Sequence, residues 1–375
     1  MNDSYPYSLL DAISELYKDQ KGSYNDVFIL ACQHLLEPQA KMFELISAFG
    51  IPKENIYIFG KIYSTSNEIV NELDRDDFKV SKPIFDPIIS FDIQHAKNCK
   101  NELKDFLSSI KSPSRIIILD DGGELLKTVN DSFDSMPKNV PVVGIEQTSS
   151  GFRKLEHSVL HFPIFNVARS AIKLIKESPL IAEFGCNRIV DVIAQYSISE
   201  PRILIVGLGP IGSNVISILA DKNYFTVGYD VAYHEQSELI DLIKKDNINI
   251  VIGATGQNIL SENQLQEIKN ILDHDLYLIS MSSADREFPA SYIRKNGVHS
   301  SEIHADTVWD NLVLINNGFP ITFKGKRYES TPQEIERTIG LLYGSTLEAM
   351  IADMNGIVGF IEVPAKVIEV LENYE

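Results

Sequence analysis

Short, unbroken runs of Val, Ile and Leu recur along most of this 375-residue chain, and segments of helical period separate them. The first series is Val27–Ala31, Ile56–Phe59, Ile116–Leu119 and Val142–Ile145. A second series begins near Pro201, with Ile203–Val206, Thr226–Tyr229, Ile248–Ile252 and Leu276–Met281. Runs that are apolar at every position fit strands buried on both faces of a parallel sheet. Parallel neighbours need a crossover, here an amphipathic helix of about ten residues, and right-handed crossovers place helices on both faces. The pattern therefore predicts an α/β chain of two doubly wound units.

The boundary is predicted at Glu177-Ser178-Pro179, where a helical pattern meets a proline that lacks an N–H and crowds the preceding turn. The segment Glu183–Ser197 then reads as a helix feeding the second unit. Thr331-Pro332-Gln333-Glu334 has the look of a helix start, and the apolar stretch Gln333–Met354 is expected to return to the first unit. The expected domains are 1–180, completed by helices in 333–375, and 181–332.

Composition narrows the partners. A net charge of −18 repels phosphate backbones and anionic lipid, so nucleic-acid and membrane-surface binding are not expected. Cys32, Cys99 and Cys186 are far apart and have no metal-ligand spacing, so no metal is expected and a reducing, cytoplasmic setting is. The first residues are acidic where a signal peptide is basic, and no long apolar run follows.

The strongest motif is Gly207-Leu208-Gly209-Pro210-Ile211-Gly212, between the strand ending at Val206 and a helix expected over Ser213–Ala220. In such a turn the first glycine permits the tight bend, the second lets backbone approach a pyrophosphate, and the third allows helix and strand to pack closely. Asp230 ends the next strand, where a carboxylate accepts hydrogen bonds from a ribose diol and repels a 2′-phosphate; NAD is the expected cofactor. After Ile252, the small residues Gly253, Ala254, Thr255 and Gly256 suit backbone lying close to the nicotinamide side of the ligand.

Several segments in order resemble the adenosylhomocysteine hydrolase family. Ile118–Leu125, ILDDGGEL, is similar to ILDDGGDL of that family, and Gly144–Gly151, GIEQTSSG, to GISEETTTG with one residue fewer. Pro163–Lys173 resembles PAINVNDSVTK, and Gly185-Cys186 with Val190-Asp191 resembles GCRESLVD. Cys32-Gln33-His34 with Glu37 resembles LHMTVET, one residue short, and Tyr63-Ser64-Thr65 resembles FST. The resemblance implies an NAD-dependent enzyme that oxidises the 3′-hydroxyl of an adenosine-type nucleoside or related sugar alcohol, with elimination at C5′ through the acidified C4′–H. It implies catalytic roles for Lys173, Glu177, Asp121 and His34, and substrate contacts for Glu37, Gln147 and Thr65. It also implies that Thr148, Ser149, Ser150 and Ser178 contact the cofactor, that Cys186 lies near the nicotinamide, and that the chain forms a homodimer or larger homo-oligomer. By residue type alone, Lys173 and Glu177 are an i, i+4 pair, His34 a structural histidine and Cys186 a buried inert thiol.

The departures from the family are specific. Gln147 stands where it has a glutamate, and an amide accepts no proton. Met281-Ser282-Ser283-Ala284-Asp285 stands at its IGHFD, and Thr331-Pro332 near its MGHPSF, so both histidines are missing. Its C-terminal Lys and Tyr have no match beyond Tyr374. Two other functions fit the same architecture. One is an NAD- or nucleoside-binding or sensing protein; the other is a 2-hydroxy-acid dehydrogenase, which needs a histidine paired with an acid in the second unit, where His234, His274, His299 and His304 make no convincing pair and only His304 has an acid, Asp306, close in sequence.

Overall fold

A computed structural model describes residues 5–233, 238–282, 284–329 and 332–373, and at 171, 173–178 and 334 it describes the backbone alone. Strands are numbered β1 (Val27–Leu35), β2 (Ile56–Thr65), β3 (Lys79–Ser81), β4 (Arg115–Asp120), β5 (Val142–Glu146), β6 (Pro163–Asn166), β7 (Arg202–Val206), β8 (Phe225–Tyr229), β9 (Ile250–Gly253), β10 (Leu276–Ser280), β11 (Thr307–Trp309), β12 (Leu312–Leu314) and β13 (Gly359–Ile361). The described residues form a seven-stranded sheet, β13-β6-β5-β4-β1-β2-β3, and a six-stranded sheet, β11-β12-β10-β9-β7-β8. Every pairing is parallel except β11 with β12.

Both sheets are doubly wound, and strand alternation shows why. Along β1, Val27, Ile29, Ala31 and Leu35 enter one apolar layer while Phe28, Leu30 and Cys32 enter the other. In β4, Ile117 and Leu119 face the first layer and Ile116 and Ile118 the second. The second sheet divides likewise: Leu204 and Val206 of β7 against Ile203 and Ile205, and Leu276 and Leu278 of β10 against Tyr277 and Ile279. A strand whose two faces are both covered has no polar position until its end, hence the unbroken apolar runs.

The compact units are residues 1–83, 95–177 and 326–375, and residues 84–94 and 178–325. The strap 84–94 therefore falls in the second unit. Arg294, fully buried, donates to the carbonyls of Pro87, Ile89 and Asn317 and pairs with the buried Asp285 at 2.7 Å. Asp285 also accepts from the Phe91 N–H. The helix Pro332–Ile351 packs in the first unit, burying Ile339, Leu342, Leu347 and Met350 in its core. The chain then adds β13 beside β6, a strand of three residues with no apolar run long enough to announce it.

The break expected at Pro179 is absent. One helix runs from Ala171 to Gln195 with Pro179 inside it. A proline forfeits one backbone hydrogen bond but need not end a helix that neighbouring turns sustain, and this ring is exposed.

Candidate functional sites at two topological switch points

In an open α/β sheet, ligands bind outside the carboxyl ends of the strands where the strand order reverses direction. The first sheet reverses between β1 and β4, the second between β7 and β9. Both positions carry the polar and glycine residues singled out above.

At the first switch point, Gln33 and His34 come from the end of β1 and Asp120 and Asp121 from the end of β4. Opposite them β2 bulges: Gln33 pairs with Gly60, but Leu35 pairs with Thr65, so residues 61–64 face His34 alone. The bulge brings Lys61 and Ser64 to the site, as bulges beside functional sites do. Lys61, almost fully buried, forms an ion pair with Asp121. His34 lies with Nε2 3.2 Å from Asp121 Oδ2, and its Nδ1 meets the Ser64 hydroxyl. Burial alone would raise the Asp121 pKa, yet Lys61 and then His34 hold its carboxyl well below the usual carboxylate range. Asp121 is thus a buried, ionised acceptor between two cationic or hydrogen-bonding groups.

Beside it, Asp120 pairs in register with Glu146 of β5, and both are fully buried. Glu146 Oε1 accepts from the Gly122 N–H at 3.1 Å and from the Thr148 N–H and hydroxyl at 2.7 Å. This carboxylate ties the turn after β4 to the turn after β5. Burial and the like charge of Asp120 push Glu146 up to about 8, and burial pushes Asp120 up to about 6. Among the described residues, Gln33, Asp120 Oδ1, Glu146 Oε2, Gln147 Oε1 and Asn166 Oδ1 are buried polar groups with no hydrogen-bond partner. They lie along the carboxyl ends of β1, β4, β5 and β6. Buried polar atoms are normally satisfied, so such a row calls for an explanation beyond the packing of the fold.

A carboxyl whose pKa is raised in the folded state stabilises most below its ordinary value, 4.5 for Glu146, and that contribution is lost as pH rises towards about 8. Glu146→Gln keeps the Oε1 acceptor and removes the ionisation. Its urea midpoint is expected to vary less than the wild type's between about pH 5 and pH 8.

Thr148 caps the helix Ser149–Leu155, its hydroxyl accepting from the Gly151 N–H at 2.9 Å. Ser149 and Ser150 open that helix and are half-buried. The Thr65 hydroxyl donates to the Lys61 carbonyl at 2.7 Å. Glu37 heads the helix Glu37–Phe49, and its carboxylate pairs with Arg327, which also holds Glu68 and Glu72. The side chains of Lys173, Glu177 and Ser178 lie outside the described residues, as do Ser283 and Thr331. Sequence reading missed Lys61, Ser64, Glu146 and Gln33; Gln33 and Glu146 carry the signal of a polar residue just past a predicted strand, whereas Lys61 and Ser64 reach the site only through the bulge of β2.

At the second switch point, Gly207 has φ +98°, and a Cβ there would lie 2.8 Å from Thr255 Cγ2 and 2.9 Å from the Ala254 carbonyl oxygen. A Cβ on Gly212 would collide with the Gly207 carbonyl oxygen, whereas one on Gly209 would meet nothing within 4 Å. Pro210 and Ile211 start the helix Pro210–Asp221, Pro210 at the first turn where its missing N–H costs nothing. Asp230 accepts from the Leu208 N–H at 2.7 Å and from the Ala232 N–H at 2.9 Å, so it braces the glycine turn. The Ala254 N–H donates to the Val206 carbonyl at 2.8 Å. Thr255 and Gly256 are bound by Glu287, a fully buried carboxylate that no motif announced. Cys186 is buried, and burial pushes its thiol up to about 11, which fits an inert thiol. His304 sits with Nδ1 2.9 Å from Asn316 Oδ1, while Asp306 accepts from Tyr196 and from the Asn316 N–H.

Two parallel, doubly wound α/β units, one with a Rossmann-type glycine turn at its switch point, define a two-domain Rossmann-type protein. No protein-family model matches the chain. It is 30% identical over 356 residues, 92% of its length and 69% of theirs, to the uncharacterized proteins MT0113 and Rv0104 of two strains of Mycobacterium tuberculosis, and it belongs to their family. Among solved structures it is similar to the A chain of dipicolinate synthase from Bacillus subtilis, at 12% identity over 88% of this chain and 98% of that one, with a TM-score of 0.34. It is likewise similar to the NAD-complexed D-isomer specific 2-hydroxyacid dehydrogenase from Lactobacillus delbrueckii ssp. bulgaricus, at 12% identity over 85% and 96%, with a TM-score of 0.36. Among the described residues no helix is long and apolar enough to cross a membrane.

Proposed function

We propose that this chain is an NAD-dependent enzyme that oxidises a secondary hydroxyl of a nucleoside-like molecule or related sugar alcohol, in line with its resemblance to the adenosylhomocysteine hydrolases. The observation that carries this reading is the glycine turn: closed at Gly207 and Gly212, it is open at Gly209, where a Cβ would have free space around it. In this reading the N–H groups at the start of the helix Pro210–Asp221 hold the diphosphate. Asp230 stands at the end of β8 beside the glycine turn, whose Leu208 N–H it accepts, the position at which a carboxylate accepts from a ribose hydroxyl in this reading. When bound, NAD supplies the hydride acceptor for a secondary alcohol.

The first unit supports the substrate side of the reading. Unpartnered acceptors along its carboxyl edge suit a ligand rich in hydroxyls. His34, partly accessible and anchored to Asp121, is the acid–base group, and Lys173 with Glu177 takes the hydroxyl proton. The chain works in this reading as a cytoplasmic homo-oligomer, a dimer at least.

Addition of adenosine or a 5′-substituted adenosine to the NAD-loaded protein is expected to produce the absorbance band of reduced nicotinamide. Lys173→Ala is expected to keep NAD and lose the reduction. Reduction by small hydroxy acids instead would assign the chain to 2-hydroxy-acid oxidation, and bound NAD that no alcohol reduces would make it a binding protein.

A further inference from the structure

We infer that Glu287 is a positioning residue for the nicotinamide half of the dinucleotide, setting the two backbone loops that flank it without itself touching the ligand. This assignment rests on the NAD-binding reading above. Glu287 lies seven residues beyond the end of β10, in a segment with no glycine motif, and it is fully buried. Its Oε1 accepts from the Thr255 N–H at 2.8 Å, from the Gly256 N–H at 2.6 Å and from the Ser282 hydroxyl. Its Oε2 lies 2.8 Å from the Thr255 hydroxyl, and its carbonyl accepts from the Ile259 N–H at 2.9 Å. One side chain therefore holds the loop after β9 and the loop after β10 together. Gly253, the last residue of β9, admits it: a Cβ there would stand 2.6 Å from Glu287 Oε2.

Topology says which half of the ligand this concerns. The second sheet reverses between β7 and β9, with β8 on one side and β9 and β10 on the other. A dinucleotide laid across that reversal puts its diphosphate at the β7 turn and its adenosine towards β8 and Asp230. Its other half then lies over the ends of β9 and β10, the two loops that Glu287 joins. Without the carboxylate, the N–H groups of Thr255 and Gly256 lose their acceptor, and the loop turns towards water to satisfy them.

The test compares affinities for NAD and for ADP, which lacks the nicotinamide half, by calorimetry on the full chain. Glu287→Ala is expected to weaken NAD by tenfold or more while changing ADP by less than about threefold. Glu287→Asp, one methylene too short to reach both loops, is expected to show the same selective loss and covers the case in which the alanine variant does not fold. Glu287→Gln keeps the length and the Oε1 acceptor and is expected to restore most of the NAD affinity. Equal loss of NAD and ADP, or NAD affinity unchanged in both shortened variants, would overturn the assignment while wild-type binding upheld the NAD reading. A wild-type protein that binds neither ligand overturns both.

Discussion

Gly209→Val is expected to abolish NAD binding, by more than about a hundredfold, while leaving the second unit as stable as before. Gly209 has φ −68° and ψ −173°, an extended conformation open to any residue. Its Cβ would touch no protein atom within 4 Å, so the fold itself makes no demand for glycine there. The added side chain enters the space above the helix start, where the proposed reading puts the diphosphate. Gly212→Ala is the contrasting case: its Cβ would collide with the Gly207 carbonyl, so this change lowers stability along with binding. Thermal melts beside calorimetric titrations separate the two. A Gly209→Val protein that still carried NAD would remove the turn from the site.

Lys61→Met is expected to cost the first unit about 3–5 kcal/mol, on the order of 10 °C in melting temperature. The ammonium is buried against a buried carboxylate, and deleting it strands the Asp121 charge with His34 as its remaining close partner. Adding Asp121→Asn to Lys61→Met removes the stranded charge and is expected to recover much of that loss. The pH dependence follows from the depressed pKa of Asp121. Its stabilisation is present above the unfolded value near 3.9 and fades as pH falls below it. Wild type is therefore expected to lose stability more steeply than the double variant below about pH 4 in urea melts. Equal stability of wild type and Lys61→Met near neutral pH would show that the pair is solvated.

The two glycine- and acid-bearing ends were legible in the sequence for one reason. Strands such as Arg115–Asp120 and Arg202–Val206 are buried on both faces, so the polar or glycine residue that ends each apolar run marks the carboxyl edge of its sheet. Lys61 was illegible for the same reason turned around. It stands inside IFGKIYST, and only the four-residue bulge of β2, which no local pattern encodes, turns it from a strand residue into a site residue. Glu146 was quoted within GIEQTSSG, but its burial and its grip on Gly122 depend on pairing with β4. Glu287 acts on a loop some thirty residues away in sequence, so its role has no local signature. Pro179 carried a strong breaker signal that its long flanking helix overrode. β3, β11, β12 and β13 are three residues each, too short for periodicity to register.

The order in which the units draw on the chain bears on synthesis. Apart from the strap 84–94, the second unit is one stretch, 178–325, and has all its strands once that stretch has emerged. The first unit began earlier yet must wait for 326–375, because Ile339, Leu342, Leu347, Val367 and Leu371 cover one side of its sheet. A nascent or truncated product ending near residue 325 thus holds a finished second unit and a bare aliphatic sheet face, a state for chaperones to shield and proteases to clear.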